Sequence, residues 1–152
     1  MPGEIVKELL ISLEKRIAGI SDVKVSDARV GLGCTAIELN TGHVGVCHTL
    51  LNELACCQRI ERAGEVSGSS ALQVSRLANS WKLGEATIGI ATINALSQMI
   101  FEESPSAYSI INDADFIGQI EIKGNDRVAL VGYIKPFVPI IKSKTKNFSI
   151  IE

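Results

Sequence analysis

Aromatic residues make up only 5% of this 152-residue chain, too few for the stacked platform on which single-stranded nucleic acids are held. Basic runs are equally scarce. Lys142, Lys144 and Lys146 are the densest, on a chain of formal net charge −2, and they read as a solvated loop, not as a footprint for a phosphate backbone. No uncharged apolar run reaches the roughly 18 residues that a membrane-crossing helix needs. Near the start, Glu4, Lys7, Glu8, Glu14, Lys15 and Arg16 interrupt the apolar positions, which excludes the core of a signal peptide. These absences point to a cytoplasmic protein without nucleic-acid or membrane partners. Its four cysteines, Cys34, Cys47, Cys56 and Cys57, are then expected as thiols. Also missing are G-x-G-x-x-G, H-x-x-x-H, C-x-x-C and paired-acid signatures. The two histidines, His43 and His48, fall in one short segment with no nucleophile and acid in sequence around them.

What remains is a globular composition, 46% hydrophobic and 21% charged, with an aliphatic, alanine-rich core. Ile5, Leu9, Leu13 and Ile17 recur every four residues, with Val6 and Leu10 beside them, and predict an amphipathic helix over 3–18 that stops at Gly19. From Val23 the period changes to two. Extended segments follow at 23–30, 35–39 and 44–50, with Asn40-Thr41-Gly42 as a hairpin turn. A tight turn there sets Leu39 opposite Val44 and Ile37 opposite Val46. The other face then carries the small residues Cys34, Ala36, Gly45 and Cys47, against which a helix can pack.

Residues 69–81 and 84–101 read as helices, with Leu72, Leu77 and Trp81 near one stripe of the first. The second is nearly uncharged and rich in small residues, the pattern of a buried helix. Asn94 inside it then requires a partner, because an unpaired buried amide costs about 1–3 kcal/mol. Breakers at Pro105, Asn112-Asp113 and Gly124-Asn125-Asp126 divide the chain into a domain over 1–104, a linker over 105–125 and a second element over 126–152. That last stretch runs strand, Gly132 turn, Pro136-initiated helix, strand and terminal acid, the opening of a Rossmann-like half. Two strands alone do not complete a parallel sheet. The expected class is α+β: a leading helix, a three-stranded antiparallel meander and a helical pair, followed by an incomplete Rossmann-like βαβ element.

Three stretches carry a resemblance. They are Gly42-His-Val-Gly-Val-Cys-His-Thr49, Leu77-Ala-Asn-Ser-Trp-Lys-Leu-Gly-Glu-Ala-Thr-Ile-Gly-Ile-Ala-Thr-Ile-Asn-Ala95 and Asp126-Arg-Val-Ala-Leu-Val-Gly-Tyr-Ile-Lys-Pro136. With them the chain resembles the bacterial and archaeal family labelled for heavy-metal chelation, a group of unknown function. The resemblance implies an enolase-N-terminal-like domain followed by a Rossmann-like domain, of which this chain matches the first and only the start of the second. It also implies a site between the two domains. A metal ion is suggested by the family label alone.

Gly132, with Tyr133 and Lys135 beside it, stands where a strand meets a helix, so it serves either an anionic ligand or plain turn geometry. Glu152 ends the last strand, where an acid can hold a ribose hydroxyl. Asn94 either bridges backbone segments or contacts a ligand, and Glu85 and Thr87 read as capping groups. Cys34 and Cys47, on one face in the expected register, are within reach of a shared soft metal, or are buried structural thiols. Adjacent Cys56 and Cys57 cannot readily aim at one ion. The leading reading is a small-ligand or heavy-metal-ion binding protein. An enzyme acting on an anionic or nucleotide-like metabolite is one alternative. The other is a non-catalytic fragment that forms a homodimer or pairs with a chain completing its second domain through an open edge at 148–151.

Overall fold

The computed structural model describes residues 4–20, 22–49, 60, 63–103 and 116–151. The chain divides into two compact units, Met1–Tyr108 and Ser109–Glu152. In the first, helix α1 (Glu4–Ile17) precedes strands β1 (Val25–Val30), β2 (Cys34–Leu39) and β3 (Val44–His48), paired antiparallel in the order β1-β2-β3. Helix α2 (Ala71–Ser75) runs into a 3-10 turn (Arg76–Asn79), and helix α3 (Leu83–Glu103) closes the unit. The mixed class expected from the periodicities is the class observed.

Helix α3 is the organising element. It contacts β2 and β3 on one side and α1, α2 and the 3-10 turn on others. Its small side chains permit this. Gly45 of β3 lies directly against the backbone of Ala91 and Ala95, and Gly89 lies against the backbone of Leu77 and Ala78. The core between helix and sheet is aliphatic: Val25, Ile37, Leu39, Ile88, Leu96 and Met99 are almost wholly buried. Hydroxyls within it are satisfied locally. Thr35 and Thr49 share a 3.0 Å hydrogen bond, and Thr92 donates to the Ile88 carbonyl at 2.8 Å.

The expected packing of α1 and of Trp81 needs correction. The buried stripe of α1 is Val6, Leu10, Leu13 and Ile17, whereas Ile5 is 80% exposed and Leu9 is exposed with it. Two stripes one residue apart share the same spacing, and packing against α3 selects between them. Trp81 is not core either. The 3-10 turn ends the helical run at Asn79, and Trp81 stands 87% exposed with the Lys82 ammonium 5.9 Å from its ring centre.

The second unit contains a short helix α4 (Phe116–Gln119), strand β4 (Arg127–Val131), helix α5 (Phe137–Lys144) and strand β5 (Asn147–Ile151). Strands β4 and β5 pair in parallel, Arg127 with Asn147 through Val131 with Ile151. Val128, Leu130, Phe148 and Ile150 are half-buried, as one covered face requires, and Val138 and Ile141 of α5 are buried. The opposite face is open, with Val131 77% and Ile151 54% exposed. Lys142 and Lys144 are not in a loop but in the last turn of α5, where cations oppose the helix dipole. Lys144 also donates to the Ile117 carbonyl at 3.3 Å.

Candidate functional site

The β2–β3 hairpin holds both histidines and two of the cysteines, and its turn decides where they point. The Leu39 amide donates to the His43 carbonyl and the Gly42 amide to the Leu39 carbonyl, each at 2.9 Å. Gly42 adopts φ +86°, so the loop closes in three residues on a left-handed glycine. Ile37 therefore pairs with Gly45, Ala36 with Val46 and Cys34 with His48. This register is one residue away from the expected Leu39–Val44 and Ile37–Val46 pairing. Such a slip turns every side chain of β3 to the other face.

Cys34 and Cys47 are consequently on opposite faces, not on a shared one. Thr35, Ile37, Leu39, Gly45 and Cys47 face α3, whereas Cys34, Ala36, Glu38, Val44, Val46 and His48 form the outer face. Both thiols are free, Cys34 exposed and Cys47 half-buried. Burial pushes the Cys47 thiol above its ordinary pKa, and the neighbouring Cys34 sulfur adds to the shift. The Cys47 thiol points at the His48 carbonyl, 3.5 Å away. Cys56 and Cys57 lie outside the described residues. Among the described residues, no three His, Cys, Asp or Glu side chains are grouped to hold a metal ion.

His43 forms a second polar cluster. Its Nδ1 is 2.8 Å from the Thr41 hydroxyl and its Nε2 3.1 Å from Glu102 at the end of α3. Gln98 donates to the other oxygen of Glu102 at 3.1 Å. The Gln98 bond first, and His43 second, hold the Glu102 carboxyl below the usual carboxylate range. The cluster ties the hairpin turn to the helix.

Asn94 is exposed, not buried, and its amide donates to the Val46 carbonyl at 2.8 Å. Residue 46 belongs to a pair whose backbone groups point away from β2, so Asn94 occupies a carbonyl on the open edge of the sheet. Asn94→Ala is expected to lower stability by about 0.5–1.5 kcal/mol. Urea unfolding followed by far-ultraviolet circular dichroism measures this. At the start of α3, Glu85 accepts from the Ser80 hydroxyl at 2.7 Å and is 3.6 Å from the Lys82 ammonium, while Thr87 donates back to the Leu83 carbonyl. Among the described residues the Asn79 side-chain oxygen is buried without a hydrogen-bond partner. Composition alone gave no sign of that orphan acceptor.

In the second unit, Gly132, Tyr133 and Lys135 share the loop between β4 and α5, with Tyr133 and Lys135 exposed. Gly132 takes φ +81° and its amide donates to the Ile151 carbonyl at 2.8 Å, continuing the parallel ladder. The Phe137 amide donates to the Ile134 carbonyl, and Pro136 and Pro139 have no N–H. Among the described residues the first turn of α5 thus retains only the Val138 amide for an anion, a sparse set for a phosphate. Gly132→Ala is expected to destabilise this unit by about 1–2 kcal/mol through the left-handed backbone alone, since nothing crowds the position. Urea unfolding checks this as well. Glu152 lies outside the described residues. No described helix is long and apolar enough to cross a membrane.

A family model described as "Putative heavy-metal chelation" matches residues 13–97. No curated protein matches the chain. Among solved structures, a protein of unknown function of the DUF364 family from Desulfitobacterium hafniense DCB-2 is similar, with TM-score 0.70 and 21% identity over 95% of this chain and 57% of that one. A DUF364-family protein of unknown function from Pyrococcus horikoshii gives TM-score 0.68 and 24% identity over 96% of this chain and 55% of that one. The likeness is one of fold, and the chain spans rather more than half the length of each.

Proposed function

This chain belongs to the heavy-metal-chelation family, and from that membership we propose that it binds a heavy-metal ion through the thiols and imidazoles of its first unit. One observation carries the reading. Every cysteine and histidine of the chain lies between Cys34 and Cys57, inside the family match at 13–97, and residues 109–152 contain neither type. Thiolate and imidazole are the donors that favour soft and borderline ions over magnesium or calcium. A small anionic ligand held at the loop after Gly132 has less behind it, because the G-x-G-x-x-G pattern is missing and the Gly132, Ile134 and Phe137 amides are committed to backbone carbonyls.

The test is a melting-temperature series on reduced, metal-stripped protein with Cu(I), Zn(II), Cd(II), Mg(II), Ca(II), phosphate and a nucleotide. A soft ion at a hundred times its Kd should stabilise the native state by about 2.7 kcal/mol, and a chelator should reverse the gain. A rise with phosphate or nucleotide and none with any soft ion would instead support an enzyme of anionic metabolites.

A second reading has its own observation. The open β4–β5 face, with Val131 and Ile151 exposed, is unusual for a parallel pair, which is normally covered on both sides. Association with a further segment or chain that supplies strands at the edge and helices on the open face would complete the sheet and cover it. A concentration-independent monomer mass by light scattering would count against a homodimer.

A further inference from the structure

We infer that Cys34 and His48 form a two-donor site for a soft, closed-shell, low-coordinate metal ion such as Cu(I), on the outer face of the three-stranded sheet. The inference rests on the metal-binding reading above and narrows it to one pair of residues.

The backbone register is the first support. Cys34 and His48 are direct cross-strand partners. The Thr49 amide donates to the Gly33 carbonyl and the Leu39 amide to the His43 carbonyl, so 33/49 and 39/43 are hydrogen-bonded pairs. Pair types alternate along an antiparallel ladder, which makes Cys34/His48 a non-hydrogen-bonded pair. In such pairs the side chains stand closest, with Cβ atoms about 4.5–5.5 Å apart. A thiolate and an imidazole so placed can close on one ion between them.

Access is the second. Both residues are exposed, on the face turned away from α3. On its other side Cys34 faces Gly31, whose amide donates to the Cys34 carbonyl at 2.9 Å. Gly31 has no side chain, so the position directly across from Cys34 on that side carries none.

Donor chemistry is the third. Structural zinc takes four protein ligands, and among the described residues no group of even three His, Cys, Asp or Glu is present. Cu(I) favours thiolate and accepts imidazole, and a soft closed-shell ion is satisfied by two donors. Cys47 is not part of the pair, because it is opposite Thr35 on the face turned toward α3, across the sheet from Cys34 and His48. On binding, the Cys34 S–H bond breaks, its proton passes to solvent and an S–Cu bond forms, with copper remaining Cu(I).

The test is anaerobic competition for Cu(I) against a chromogenic Cu(I) chelator, read by absorbance, with far-ultraviolet circular dichroism confirming that each variant is folded. The reference chain carries Cys56→Ser and Cys57→Ser, which removes the other thiols from the count. That chain should retain a single Cu(I). Cys34→Ser should abolish retention, His48→Ala should weaken it by at least about tenfold, as losing even an outer-shell partner does, and Cys47→Ser should leave it nearly unchanged. Loss of Cu(I) in the reference chain alone, or full retention in Cys34→Ser or His48→Ala, would overturn the pair while leaving metal binding intact. If the unsubstituted chain retains neither Cu(I) nor any ion of the melting series, the metal-binding reading itself fails.

Discussion

Gly45→Ala is expected to destabilise the first unit by about 3 kcal/mol or more, at the upper end of what overpacking costs. A Cβ at this position would be driven into the Ala91 carbonyl oxygen and the Ala95 amide nitrogen, and would lie 2.9 Å from the Ala95 Cα. All three are backbone atoms of α3, so no side chain can rotate away. Alanine is ordinarily the better strand residue by about 0.5–1 kcal/mol, and that gain is too small to offset the clash. The helix would have to lift off the strand, opening the core around Ile37 and Leu96, both wholly buried. Typical domains have only about 5–15 kcal/mol in hand, so much of the unit's stability is at stake. The measurement is urea unfolding followed at the helical dichroism signal. An unchanged midpoint would mean that α3 does not approach β3 this closely.

Gly89→Ala should behave in the same sense on the other side of the helix. Its Cβ would collide with the Ala78 amide nitrogen and lie 2.6 Å from the Leu77 carbonyl carbon and 2.7 Å from the Ala78 Cα. In an exposed helix interior the same substitution stabilises by about 1 kcal/mol. Here a net loss of about 2 kcal/mol is expected, smaller than at Gly45 because a 3-10 turn can shift more readily than a helix wedged on a sheet. Gly19→Ala is the control. No atom lies within 4 Å of its would-be Cβ and its φ is not positive, so it should be neutral or stabilising by up to about 1 kcal/mol. If all three substitutions act alike, the losses at Gly45 and Gly89 do not come from close packing.

The glycines also show what could be read in advance. The uncharged, small-residue composition of 84–101 announces a buried helix, and α3 is one. Alternation at 23–30, 35–39 and 44–50 locates the meander, and strand, glycine, helix, strand locates the parallel pair. Register was not legible. A loop after Leu39 can close in three or four residues, and only the left-handed Gly42 together with the seat of Gly45 under α3 decides for three. That single residue moved Cys47 away from Cys34 and brought His48 opposite it. Side-chain faces failed for the same kind of reason at Ile5, Leu9 and Trp81, whose hydrophobicity suggested core positions that tertiary packing did not supply. Asn94 was expected inside the helix packing and instead reaches a sheet-edge carbonyl, because it lies on the flank of α3 beside β3.

For function, the decisive contrast is between the two units. The first holds every thiol and imidazole, and the second offers a short parallel pair in whose loop the Gly132, Ile134 and Phe137 amides are committed to backbone carbonyls. A chain that binds heavy-metal ions through the segment from Cys34 to Cys57 should therefore lose that capacity when its thiols are blocked, with its fold retained.

The most direct measurement is native mass spectrometry of the reduced, metal-free chain after exposure to Cu(I), and of the same chain after its thiols are alkylated with iodoacetamide. The account predicts a bound ion on the first and none on the second. An equal metal load on the alkylated chain, or no bound ion on either, would contradict it.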